Sequence, residues 1–209
     1  MEDKFIIKNE EELEAVIGAP MEFVRGKILP QLDDVMKDFI RKSPLIFLST
    51  IDPNGRVDVS PKGDPIGFVK IDESGNLLIP ERLGNRLTMG FRNILRNGEI
   101  GLIFVVPNQR ETLRVKGVAT ILNKPELLNT LQAKGKPALL CTHVEVKECF
   151  MHCGKAFIRS NLWQPDAWET SIESLGAKQL APVLGGGSDS DAIQKSEELL
   201  ENAYKDELY

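Results

Sequence analysis

The spacing of apolar residues changes period along this chain, and the changes mark out its parts. Residues 10–17 and the run from about Pro30 to Lys42 follow a helical period. Asn9 is the expected cap of the first helix, with Glu12 completing a capping box. In the second, Leu32, Val35, Met36, Phe39 and Ile40 fall on one face, and Ser43-Pro44 ends it. From Leu45 the pattern turns β-rich. Leu45–Ile51 is a strand, Asp52-Pro53-Asn54-Gly55 a turn, and Arg56–Ser60 a strand with Val57 and Val59 on one side. Gly67–Ile71 follows, turned at Asp72–Gly75, and then Leu77–Ile79.

The stretch Leu77 to Val106 reads as strand, glycine turn, helix, strand. Pro80 closes the first strand, Gly84 makes the turn and Asn85 is the expected helix cap. Leu87, Phe91, Ile94 and Leu95 recur at helical spacing over 86–97, which Asn97-Gly98 ends. Ile100–Val106 is continuously apolar, the pattern of a strand buried on both faces. Thr112–Leu122 is a long strand with Leu113, Val115, Val118 and Ile121 inward and a bulge marked by Gly117. Pro125 starts a short helix to about Lys134, and Ala138–Phe150 is the last long strand. Beyond Gly154 the pattern becomes irregular, with a short helix over Lys155–Asn161. Gly185-Gly186-Gly187-Ser188 is a flexible break, and Asp189–Leu208 is an acidic helix laid on the body or on a partner.

Seven short strands with one helix between the fourth and fifth predict a mainly β, α+β fold built on an antiparallel barrel or sandwich. Strict β-α-β alternation is absent, which argues against a Rossmann domain. The expected organisation is an N-terminal helical appendage over 1–43, a barrel over 44–163 and a C-terminal segment over 164–209.

Composition narrows the function classes. The 209 residues suffice for one full core, and no apolar run has membrane-spanning length. The charged start of the chain lacks a signal-peptide pattern, and three cysteines argue for a reducing, cytoplasmic setting over a disulfide framework. A net charge of −5 disfavours nucleic acid as a partner. The charge is uneven: residues 56–116 carry ten Lys/Arg and seven acids, a net +3, which leaves −8 elsewhere. A local basic region in an acidic chain suits a small anionic ligand.

The turn at Gly84 is where such an anion fits. Free N–H groups and the positive end of a helix dipole meet there, with Arg82 and Arg86 on either side. Without an anion, cations at a helix start oppose the dipole. The expected ligand is the phosphate of a flavin nucleotide, held by Arg86, Asn85 and Lys62, then Arg82.

Cys141, His143, Cys149, His152 and Cys153 gather every cysteine and histidine within thirteen positions. The types suit zinc, but the spacing matches no standard site, and no metal is assigned. On an extended strand Cys141, His143 and Cys149 share a face. No nucleophile–base pair is visible, so no catalytic residue is named.

The order of elements over roughly residues 40–163 resembles the pyridoxamine 5′-phosphate oxidase-like family of FMN-binding split β-barrels. The resemblance is carried by IDPNGRVDVSPKGD (Ile51–Asp64) and IPERLGNRLT (Ile79–Thr88). Leu83-Gly84 match the family turn directly, Arg86 stands where the family has Arg, and Asn85 where it has Ser. Pro80-Glu81 replace its Tyr-Thr, Leu87 its Lys, and Thr112 a frequent Gln. Ser60-Pro61-Lys62 stands near its first Arg. CFMHCGKAFIRSNLW (Cys149–Trp163) replaces the C-terminal signature of the true oxidases. The resemblance implies a homodimeric, FMN-dependent oxidoreductase acting on a small molecule, with the flavin at the subunit interface. It implies that backbone groups of Ile79, Pro80 and Glu81 meet the ring edge and that Ser60 or Thr112 bonds ring or ribityl oxygens. Lys155, Arg159 and Trp163 resemble the groups contributed by the partner. The other readings are a non-catalytic module of the same fold carrying flavin or haem, and a deazaflavin-dependent reductase.

Overall fold

The structure, a computed structural model, describes residues 5–169, 173–185, 187, 189–206 and 208–209. Gly186 and Ser188 of the expected break lie outside the described residues, as do residues 1–4.

The core is one antiparallel sheet of seven strands: β1 (Leu45–Ile51), β2 (Val57–Gly63), β3 (Lys70–Ile71), β4 (Leu77–Glu81), β5 (Glu99–Val105), β6 (Thr112–Leu122) and β7 (Leu140–His152). Their order is β2-β1-β5-β6-β7-β4-β3. The sheet curls without closing through backbone hydrogen bonds. The helix between β4 and β5, α4 (Met89–Asn97), contacts β1, β2, β5 and β6. Its buried Asn93 side chain donates to Thr50 Oγ1 at 3.0 Å, and Asn97 Nδ2 donates to the Ile51 carbonyl. Two side-chain ion pairs span the open edges: Lys62 of β2 with Glu81 of β4 at 2.6 Å, and Arg82 just past β4 with Asp64 just past β2 at 2.7 Å. The expected mainly β, α+β split barrel is therefore the architecture seen, with charged side chains rather than a peptide ladder across its seam.

Alternation explains the core. Ile46 and Leu48 of β1, Ile100, Leu102 and Phe104 of β5, and Leu113 and Val115 of β6 point inward with Val144 and Cys149 of β7. The opposite face of β5 is buried only at its end: Gly101 is half-buried and Ile103 exposed, while Val105 is buried, so the expectation of burial on both faces is corrected for the first part of the strand. The apolar run was continuous because this outward face is itself apolar. Val57 and Val59 share a side of β2, but that side faces solvent.

Gly117 does mark a bulge, with the β6–β7 register shifting between Lys116 and Gly117. The unpaired residue is Lys147 of β7, so β6 keeps its two-residue alternation through Leu113, Val115 and Gly117. Ala119 is fully buried, while the expected inward positions Val118 and Ile121 are only half-buried. On β7 the same shift separates the cysteines. Cys149 joins the main core, and Cys141 joins a second cluster with Leu128, Leu131 and Ala138.

Helix α1 (Glu10–Ile17) is capped as expected: Asn9 Oδ1 accepts the Glu12 N–H at 2.8 Å. The Glu12 carboxylate reaches back one residue further, to the Lys8 N–H. A single turn, α2 (Glu22–Arg25), follows, and neither helix buries a residue. Helix α3 (Asp34–Lys42) starts later than Pro30, because Asp33 caps it through the Met36 N–H. Leu32, Met36 and Ile40 are buried, whereas Val35 is exposed. Helices α5 (Pro125–Thr130) and α6 (Lys155–Arg159) are shorter than expected. The C-terminal region is more regular than its pattern suggests: α7 (Leu175–Val183) packs against α8 (Ser190–Asp206) through Ala177, Ala181, Ala192 and Ser196. Small residues let the two backbones approach closely but carry little hydrophobic signal, which hid α7 in the sequence.

Candidate functional site

A cavity of about 500 Å³ opens at the barrel's split. Its walls are the inner side of β2, the end of β4, the loop after it, the start of α4, and Leu139-Leu140. Of the sequence-derived candidates, Ser60, Lys62, Glu81, Arg82, Asn85 and Arg86 line it.

The loop before α4 departs from expectation. The helix begins at Met89, not at residue 86, so Asn85 is not its cap and Leu87 is not part of its apolar face. Asn85 instead accepts the Leu87 N–H at 3.0 Å, an Asx-type turn. That local bond competed with helix formation and delayed it. Arg86 and Thr88 then take left-handed conformations, with φ of 60° and 54°. Thr88, β-branched and costly there, occupies the cap position but makes no side-chain cap bond. The first-turn N–H groups of α4 thus start in the cavity wall, beside Met89, Gly90 and Phe91, without a capping side chain. On α4 itself Ile94 and Asn93 are buried, while Leu95 is exposed.

The expected cations do not share one role. Lys62 Nζ donates to Glu81 Oε2 and sits 5.1 Å from the Phe91 ring centroid. Glu81 is buried and its other oxygen accepts the Thr142 hydroxyl at 2.7 Å. Arg82 Nε donates to Asp64 Oδ2 and its Nη2 to the Leu131 carbonyl, both at 2.7 Å. Among the described residues, Arg82 Nη1 is the buried side-chain atom left without a partner. Asp64 also accepts the Tyr209 hydroxyl at 2.9 Å. Lys62 and Arg82 are therefore held by the protein's own carboxylates, and the sequence reading missed Asp64 and Thr142 in this network. Arg86 is exposed and pairs with no described residue.

The other candidates lie elsewhere. Ile79 and Pro80 are buried in β4 and do not line the cavity; the Glu81 carbonyl is taken by the Leu139 N–H. Thr112 is buried at the start of β6, opposite His152. Lys155 and Arg159 are exposed on α6. Trp163 donates its indole N–H to the Gln109 carbonyl at 2.7 Å and meets Phe157 edge-on, which anchors this segment to the β5–β6 turn.

The cysteine and histidine cluster disperses. The bulge breaks the shared face expected of Cys141, His143 and Cys149. Burial, with the Glu81 charge added, pushes the Cys141 thiol up to about 11; burial, with Asp33 and Glu148, does the same to Cys149. His143 Nε2 meets Asp72 Oδ2 at 3.2 Å, and His152 stacks edge-on with Phe150. Among the described residues no group of three or more His, Cys, Asp or Glu can hold a metal, and none of their helices is long and apolar enough to cross a membrane.

An antiparallel barrel split on one side, with a helix set in the split and a cavity of mixed apolar and charged lining beside that helix's start, defines the class. The family model described as Pyridoxamine 5′-phosphate oxidase matches residues 32–153, and the chain belongs to that family. No curated protein matches it. Similar solved structures include HupZ of Group A Streptococcus (20% identity over 58% of this chain and 94% of that one, TM-score 0.47). They also include an F420 reductase (17%, 56% and 98%, TM-score 0.43) and HutZ, the haem storage protein of Vibrio cholerae (14%, 58% and 95%, TM-score 0.39).

Proposed function

We propose that this chain is an FMN-binding flavoprotein that works as a homodimer and serves as an oxidoreductase on a small cytoplasmic molecule. The observation that carries the reading is the unpaired Arg86 beside the uncapped start of α4, in a cavity of about 500 Å³. A cation in a left-handed loop at the positive end of a helix is unfavourable unless an anion joins it, and a phosphate answers both the Arg86 guanidinium and the free N–H groups. The residues present fit the group on this test. Arg86 and the first turn of α4 would hold the phosphate, with Asn85 and Ser60 as neutral partners. Lys62 and Arg82, tied to Glu81 and Asp64, would shape the rim and contribute charge at longer range. Exposed Lys155 and Arg159 remain the cations that a second subunit would offer. When bound, the flavin supplies the electron-transfer chemistry, and the protein's part is to place it and exclude water.

The homodimer is supported by the outward sheet face, where Phe47, Val57, Val59 and Ile103 are exposed together. Sedimentation at micromolar concentration is expected to give a dimer, and a monomer carrying FMN would remove the partner from the site. Arg86→Ala is expected to weaken FMN binding by roughly 10- to 100-fold, from the loss of a charge-assisted bond of about 1.5–3 kcal/mol. Lys62→Ala should weaken it less, because its ammonium already serves Glu81. Titration of the flavin absorbance decides this: an Arg86→Ala chain that binds FMN like wild type rules out the seat. Reduction of the bound flavin by NADH or NADPH, followed by turnover, tests the oxidoreductase assignment.

A further inference from the structure

Helix α1 forms an arm that buries none of its own residues against the other described residues. Leu13, Val16 and Ile17 of α1 are exposed, as are Met21 and Phe23 beyond it. An amphipathic helix of eight residues does not hold its shape in water on propensity alone. One acid of α1, Glu12, serves the cap; Glu10, Glu11 and Glu14 pair with no described residue.

The barrel carries a surface of opposite kind. On α4, Leu95 is 75% exposed, and Leu87 and Met89 beside it are exposed too. Residues 82–98 contain no acid, and Arg86, Arg92 and Arg96 pair with no described residue. The two helices carry the same pattern in opposite charge: Glu10, Leu13 and Glu14 on one, Arg92, Leu95 and Arg96 on the other. Positions at i, i+3 and i+4 share a helical face, so each helix presents a leucine flanked by two like charges.

We propose that α1 of one copy of this chain docks antiparallel on α4 of a second copy. Leu13 lies against Leu95, Glu10 pairs with Arg96 and Glu14 with Arg92, and the antiparallel setting aligns the helix dipoles favourably. Val16 and Ile17 then run toward Met89 and Leu87, which line the cavity, so the second copy's arm completes its outer wall. The chain's own arm is tied elsewhere. It leaves the barrel at Leu29, bonded in both directions to Cys149 of β7, whereas α4 sits on β1, β2, β5 and β6. Two-fold symmetry makes the exchange reciprocal. The proposal rests on the homodimer reading above.

The test is cross-linking in the full chain with Cys153→Ser, which leaves only the buried Cys141 and Cys149. A copy carrying Leu13→Cys and a copy carrying Leu95→Cys are co-expressed with different tags and purified through both. Oxidation is expected to give a covalent dimer containing both tags. Arg92→Glu with Arg96→Glu should abolish it, and adding Glu10→Arg with Glu14→Arg on the other copy should restore it. A chain carrying both cysteines that closes on itself, or a dimer by sedimentation that does not cross-link, overturns the arm while leaving the homodimer standing. A monomer by sedimentation overturns both.

Discussion

Replacing Glu81 by Ala is expected to lower stability by about 2–3 kcal/mol, from the loss of a buried acceptor and of an ion pair with a partly exposed partner. Glu81 is 3% exposed and joins β4 to β2 across the split. One oxygen takes the Lys62 ammonium and the other the hydroxyl of Thr142, itself fully buried. Truncation leaves the Thr142 donor without its acceptor and Lys62 with only the Phe91 ring and solvent. Because no backbone ladder crosses the seam, only the neighbouring Arg82–Asp64 pair is left to hold it among the ion pairs described. Glu81→Gln keeps an acceptor for Thr142 and should lose only part of this. Urea unfolding of the three chains checks the order; equal midpoints for all three would mean that the seam does not depend on this carboxylate.

Gly117→Ala is expected to cost about 3 kcal/mol or more, the upper end of overpacking effects. A Cβ built at Gly117 would stand 2.2 Å from the Glu145 carbonyl oxygen and 2.9 Å from a Val144 methyl. The first obstacle is backbone of the neighbouring strand, so relief requires pulling β6 and β7 apart at the longest pairing in the sheet. The expected readout is a large drop in melting temperature or loss of soluble protein. A chain within 1 kcal/mol of wild type, on the scale of ordinary substitutions, would show that the bulge can relax without strain.

The two substitutions also mark where sequence reasoning ran well and where it stopped. Gly117 was legible as a bulge, since a lone glycine in a β pattern has few other uses. Its consequence for β7 was not legible, because the unpaired residue, Lys147, lies on the partner strand, far away in sequence, and reverses the facing there. Cys149 and Cys141 therefore ended in different clusters although their spacing suggested one face. At Asn85 the residue type was informative but ambiguous: the same carboxamide that caps a helix also makes an Asx turn, and the bond to the Leu87 N–H prevailed. Lys62, Arg82 and Arg86, far apart or neighbouring in sequence, line one cavity. Sequence could not tell that Lys62 and Arg82 have resident partners, because Asp64 and Glu81 acquire that role only when β2 and β4 meet across the split.

Local interactions were enough to specify the strand segments, the turns at Asp52–Gly55 and Asp72–Gly75, the cap at Asn9 and the helix before β5. Each depends on residues within a few positions of one another, and period or side-chain type records such constraints directly. The partition of cations between bound and unpaired, the separation of the cysteines and the apolar outer face of β5 arose from strand order and register. These bring together residues far apart along the chain, and their pairing is set by the free energy of the packed whole, which no short stretch carries.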